Sequence, residues 1–212
     1  MKILVMVNIT KLQNSYLRIK DFINKTPILI PEKLNQDFNA SFYLKNEVEQ
    51  VTGSFKIRGA LSALTKLKEN NINGVVAYSS GNHAQGVSKA AQIFDMHAII
   101  VMPEDAPQNK IDKTLANGAE VVLYKRHIES REEIALKIAD EKQYPLVKPF
   151  DNEDIIAGQG SFGLEACEYF IQNDITPNIV LSCTSGGGLV AGTSIAFKHY
   201  LSLIHISEPT RP

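Results

Sequence analysis

The sequence predicts an α/β protein in which parallel strands are wrapped by helices. Three observations predict it. Apolar runs of strand length alternate with segments of helical periodicity almost throughout the chain. Several of those runs, GVVAY, HAIIVMP and NIVLSC among them, are continuous and read as buried strands. Polar, glycine-bearing loops fall at 52–59, 79–86 and 184–188, at the starts of helical segments, and such sheets hold ligands where strands end and helices begin.

Taken in order, the opening run MKILVMVNIT is too short for a secretory leader or a membrane span and reads as a short strand or a ragged start. Leu12, Tyr16, Ile19 and Ile23 then recur at helical spacing, and Thr26-Pro27 stops that helix. Short runs with β character follow at 27–30 and 40–44. Ser54 is a candidate N-cap for a helix whose stripe is Ala60, Leu61, Leu64 and Leu67. GVVAYSS is a strand, GNHAQG a loop, and the next helix carries Val87, Ala90, Ala91 and Phe94. HAIIVMP and AEVVLY are strands on either side of a helix over 108–117 that Gly118 ends. A capping box, Ser130 with Glu133, opens a helix over 130–143. LVKPF reads as a short strand, 153–171 as a long helix, NIVLSC as another buried strand, and Leu189 to about Tyr200 as the last helix.

Composition narrows the function classes. The chain has 212 residues, 44% hydrophobic and 21% charged, with a net charge of −1. That near-neutral balance gives no electrostatic reason for a nucleic-acid or membrane partner. Cys167 and Cys183 have neither C-x-x-C spacing nor metal-type neighbours, which fits a reducing cytosol, a cytoplasmic location and no metal site.

The three loops carry the chemistry. In SGGGL, Ser185 to Leu189, successive small residues let backbone N–H groups converge on an anion, and a helix N-terminus adds partial positive charge. A phosphate suits it. GGGLVAG does not have G-x-G-x-x-G spacing and there is no Walker lysine, so no nucleotide is implied. In SSGNHAQG, two hydroxyls, an amide and open backbone suit a carboxylate or a ring oxygen; taken alone, His83 reads more readily as a helix-surface histidine. In TGSFKIRGA, Lys56 stands in a first helical turn, where the macrodipole disfavours a cation, with Arg58 two residues on. Phe55 and Ile57 flank it and imply a partly dry setting. Both influences push toward the neutral amine that imine chemistry needs. A neutral lysine, a phosphate cradle and a carboxylate loop together describe pyridoxal phosphate acting on an amino acid.

LKNEVEQVTGSFKIRGA, SSGNHAQG, DNEDIIAGQGSFGLE and SGGGLVAG, in that order, resemble the serine/threonine dehydratase and serine racemase family of fold-type II pyridoxal-phosphate enzymes, over about residues 10 to 200. The resemblance implies a tryptophan synthase β-like fold with an incomplete large domain, 1–65 and 151–200, and a smaller inserted domain, 66–150. By similarity, Lys56 holds pyridoxal 5'-phosphate as a Schiff base and removes the substrate α-proton. Phe55 packs by the ring and Asn82 bonds its phenolic oxygen. Backbone amides of Ser185, Gly186, Gly187, Gly188 and Leu189 hold the phosphate. Ser79, Ser80, Asn82 and His83 take the substrate carboxylate.

The reaction implied is dehydration and deamination of L-threonine or L-serine to a 2-oxo acid and ammonia, by a homo-oligomer, dimer or tetramer. Ser80 is the discriminating position. A serine there is the second base of the family's racemases, which keeps serine racemase and 3-hydroxyaspartate dehydratase open. SFKIRGA favours the dehydratase side over β-replacement enzymes such as cysteine synthases. A non-catalytic amino-acid-binding relative is the alternative from another class, and retention of Lys56 argues against it. Ser185 replaces the usual fourth glycine, at a cost if that position needs positive φ. Residues 201–212, LSLIHISEPTRP, match the translation of a common transposase sequencing adapter and are expected to be a non-native tail, although SLIHIS also reads as a strand. The native chain is therefore expected to continue past residue 200, and the 212-residue polypeptide to fold poorly and be inactive.

Overall fold

The computed structural model of the chain describes residues 7–201. Residues 1–6 of the opening run and all but the first residue of the adapter-like tail lie outside the described residues. The α/β prediction holds: helices enclose a parallel sheet.

Helix α1 (Ile9–Ile19) starts where the Asn8 side chain accepts the Lys11 amide, 2.9 Å, and ends in a 3₁₀ turn, Lys20–Phe22. Strands β1 (Ile28–Leu29) and β2 (Leu44–Lys45) pair antiparallel with Ile28 opposite Lys45. They are shorter than the runs at 27–30 and 40–44. Between them lies α2 (Glu32–Phe38), ended by Asn39 in the left-handed region. Its seven residues show too little periodicity to be read from sequence. A 3₁₀ turn, Glu47–Glu49, precedes α3 (Lys56–Glu69).

The central sheet holds β3 (Gly74–Tyr78), β4 (His97–Pro103) and β5 (Glu120–Tyr124) in that order, all parallel, with Gly74 opposite His97 and Ile99 opposite Glu120. The connecting helices are α4 (Asn82–Ile93) and α5 (Gln108–Ala116). Alternate strand residues serve opposite faces. Val75, Ala77, Ile100 and Met102 join a core with Leu61 and Leu64 of α3, Val87 and Ala90 of α4 and Ile111 of α5. Val76, Tyr78, Ile99 and Val101 face Ala135 and Ile138 of α6 (Arg131–Lys142). The predicted cap holds, with Ser130 Oγ accepting the Glu133 amide at 3.3 Å. LVKPF contributes only a bridge: Val147 N–H donates to Val76 O, 2.8 Å, and Val76 N–H to Pro145 O, 3.0 Å.

A helical layer completes the structure. Helices α7 (Glu153–Gln172) and α8 (Gly188–Leu201) pack with α1 around Leu12, Leu164, Phe170 and Phe197. The glycines of GQGSFG are contact points: a Cβ on Gly158 would stand 2.4 Å from Arg58 O, so α7 lies directly on α3.

Two expectations need correction here. Residues 178–183, NIVLSC, form no strand, and Ile179 and Leu181 are 74% and 78% exposed. The segment is apolar enough for a strand, but among the described residues none pairs with it, and a strand needs a ladder partner for its backbone groups. Ser54 does not cap α3. Phe55 occupies the N-cap position in helical conformation with no side-chain cap bond, and the Ser54 hydroxyl is buried without a partner.

Candidate active site

The three loops chosen from sequence meet at one short segment, Val147–Phe150, which runs from the sheet edge toward α7. Lys56, the first residue of α3, donates from Nζ to Pro149 O at 2.9 Å, and the ammonium lies 5.3 Å from the Phe55 ring centroid. His83 of α4 bonds Val147 O through Nε2, 3.0 Å. A Cβ on Gly186 would fall 2.1 Å from the Phe150 ring, and one on Gly188 3.2 Å from Phe150 O. An amine, a polar loop and a glycine cradle thus share one wall.

Burial alone lowers the Lys56 pKa below the ordinary lysine value. The positive end of α3 acts in the same direction. The amine is thereby poised toward its neutral, nucleophilic form.

The loop 79–83 is held over Lys56 by close approach of two backbones. A Cβ on Gly86 would come within 3.1 Å of Lys56 C and O, so a side chain there would press on the Lys56 backbone. Ser79 Oγ accepts the Gly81 amide at 3.2 Å, which tightens the turn, and Ser80 is half-buried beside it. Asn82 opens α4, with its Oδ1 taken by Lys110 Nζ at 3.0 Å. A lysine can only donate, so the Asn82 NH₂ is left to face a ligand acceptor.

The surface reading of His83 is corrected: the residue is 2% exposed. A carbonyl can only accept, so Nε2 carries the proton and Nδ1 keeps a bare lone pair with no partner. Burial, which outweighs the Val147 hydrogen bond, pushes its pKa down to about 4, with a smaller lowering from the Lys56 charge included. The ring is neutral near pH 7.

The glycine loop needs positive φ at Gly187, φ +87, and Ser185 is outside the positive-φ set. The serine that replaces a fourth glycine therefore costs no backbone strain. Helix α8 begins at Gly188, so the N–H groups at its start are free of helical partners. Thr52 Oγ1, Ser54 Oγ and His83 Nδ1 are further buried polar atoms without protein partners. A half-buried amine, an anion cradle and orphaned polar atoms fit a phosphorylated aldehyde cofactor bound beside Lys56.

Sequence reasoning missed two parts of this arrangement. The 147–150 wall was read as part of a short strand, and nothing in LVKPF marks it as a meeting point. Behind Lys56, Arg58 is fully buried against Glu47 and Glu165. Those partners lie 11 and 107 positions away, beyond any local pattern.

Residues 19–210 match the family model described as pyridoxal-phosphate dependent enzyme. The chain is 42% identical over 182 residues to L-threo-3-hydroxyaspartate ammonia-lyase of Saccharomyces cerevisiae, covering 85% of this chain and 55% of that protein. It is 38% identical over 185 residues to a serine racemase of Schizosaccharomyces pombe, covering 86% and 56%. Among solved structures, a T.th. threonine deaminase superposes with a TM-score of 0.88 at 40% identity, covering 95% of this chain and 65% of that one. The chain spans about half the length of the curated relatives it matches. The chain belongs to the family of pyridoxal-phosphate dependent enzymes.

Proposed function

We propose that the protein is a pyridoxal-phosphate dependent ammonia-lyase acting on a small hydroxy amino acid, with L-serine, L-threonine and L-threo-3-hydroxyaspartate as the substrates to try. The observation that carries the reading is the convergence of Lys56, the 79–83 loop and the glycine loop on Val147–Phe150. When bound, the cofactor supplies an electron sink for charge developing on the substrate Cα.

The chain's own residues divide the remaining work. Lys56 would hold the cofactor and is placed to take the substrate α-proton, a task suited to an amine of lowered pKa. Backbone N–H groups from Ser185 to Leu189 would hold its phosphate. Phe55 would pack beside its ring, and Asn82, oriented by Lys110, would donate to its phenolic oxygen. Ser79, Ser80 and Asn82 bind the substrate carboxylate. His83 contributes its backbone N–H, because its imidazole has only a lone pair left to offer. The division into 1–65 with 151–200 and an inserted 66–150 is part of this proposal, as are a homo-oligomeric state and a cytoplasmic location. Among the described residues no helix is long and apolar enough to cross a membrane.

Intact, cofactor-loaded protein, as distinct from the 212-residue polypeptide, should release 2-oxo acid and ammonia when offered the three substrates, and Lys56→Ala should abolish both. Cofactor binding without product from any of the three would refute the lyase reading. A second reading, racemisation, rests on the Ser80 hydroxyl as a base on the opposite face of Cα. It predicts D-serine from L-serine, lost in Ser80→Ala while dehydration persists.

A further inference from the structure

A group of buried charges stands directly behind the reactive turn. Arg58 is 0% exposed and uses every donor of its guanidinium. Nε and Nη2 reach the two Glu47 carboxylate oxygens at 2.7 Å each, Nη1 and Nη2 reach Glu165 at 2.8 and 2.9 Å, and Nη1 also meets Ser161 Oγ at 3.1 Å. Lys45 closes the group, 2.6 Å from Glu165 and 2.7 Å from Thr26 Oγ1. Two cations thus face two carboxylates, drawn from β2, the Glu47–Glu49 turn, α3 and α7.

Such a quartet is a poor source of stability, since taking charges out of water costs as much as their pairing returns. What it offers is direction: a planar fork gripped on both edges fixes the orientation of the helix that bears it. Helix α3 needs such a fixture at this end. Its N-terminus has no side-chain cap, the Ser54 hydroxyl bonds nothing, and Gly53 just before it is left-handed. At about 100° per residue, Arg58 points to roughly the opposite side of the helix from Lys56. Tension on Arg58 toward α7 therefore holds Lys56 toward Pro149.

We propose that Arg58 is a positioning residue for Lys56, its clamp on Glu47 and Glu165 replacing the missing helix cap and fixing the rotation at which the amine meets the 147–150 wall. The clamp explains why an arginine stands two residues after the lysine. A lysine there, with one point charge, cannot hold two carboxylates edge-on. The proposal rests on the reading of Lys56 as the reactive amine.

Reductive methylation of the whole chain, followed by peptide mapping across a pH series, reads the Lys56 amine without any cofactor. Its neighbours matter: His83 is the titratable group coupled to it, and that ring stays neutral above about pH 6. In the unaltered chain Lys56 should be methylated with a midpoint below the ordinary lysine value. In Glu165→Gln the midpoint should rise toward that ordinary value, each pH unit of rise cutting the neutral fraction at pH 8 about tenfold. Should Glu165→Gln not fold, Glu47→Gln, at the more exposed edge of the clamp, carries the same measurement. Leu12→Ala, a core substitution against Gly160, should lower the melting temperature and leave the Lys56 midpoint in place. The proposal is overturned if the clamp variants melt earlier with an unchanged Lys56 midpoint, or if Leu12→Ala moves that midpoint equally. Failure of pyridoxal phosphate to label Lys56, with the midpoint shift intact, would instead sink the enzymatic reading and spare the clamp.

Discussion

Lys56 is half-buried and His83 fully buried, and loss of water is the largest influence pushing each toward its neutral form. For His83 this has a measurable consequence. Its pKa drops from the model-peptide 6.5 to about 4 on folding, so the folded chain binds fewer protons than the unfolded chain between those values. Stability from this group is complete above pH 6.5 and is lost as pH falls toward 4, by roughly 3 kcal/mol. Urea titrations at pH 7 and pH 4.5 should show that loss, and His83→Gln should flatten it. Equal slopes in both proteins would mean that the acid limb belongs to carboxylates elsewhere. At this scale the sequence was half legible. Lys56 could be singled out because its helix position and its apolar neighbours are local. The burial of His83 could not, because the carbonyl that takes its proton, Val147 O, is 64 residues away.

Among elements, β3 and β4 could be read directly, since GVVAY and AIIVMP are buried throughout and pair with one another. NIVLSC has the same composition and is not a strand, because pairing is decided by a neighbour and not by the run itself. Helix α7 could also be read, but the reason for its glycines could not. Gly158→Ala would drive a Cβ to 2.4 Å from Arg58 O and 2.7 Å from Gly59 Cα, two backbone atoms that cannot rotate away. It should cost about 2 kcal/mol or more of stability. Gly81→Ala, with nothing within 4 Å and an extended φ of −163, should be nearly neutral in the same melt. Comparable losses at both positions would contradict the packing account. In the cradle, Gly186→Ala meets the Phe150 ring at 2.1 Å and should displace the loop. Pyridoxal phosphate affinity, followed by fluorescence, should fall about tenfold, roughly 1.4 kcal/mol.

The described residues form three apolar cores, one on each face of the sheet and one among α1, α7 and α8, and α3 joins the sheet to that helical layer. The active-site residues come from both sides of that join. An α/β architecture and the loops of the site were legible from the alternation of runs and breaks. The meeting point was not, since three loops spread over about 130 positions converge only when the sheet and the helical layer are in place. The exposed side chains of Ile179 and Leu181 put an apolar patch just before the glycine loop. The 212-residue chain should therefore self-associate as its concentration rises, and the double substitution Ile179→Lys, Leu181→Lys should suppress this in light scattering. A monodisperse unaltered chain would contradict it.

Everything proposed for the site depends on Lys56 being the amine that holds the cofactor. The direct measurement is incubation with pyridoxal phosphate, borohydride reduction and peptide mapping by mass spectrometry. A single adduct is expected, on the peptide that contains Lys56, and absent from Lys56→Ala. An unmodified Lys56 with adducts spread over exposed lysines such as Lys33 and Lys137 would contradict that assignment.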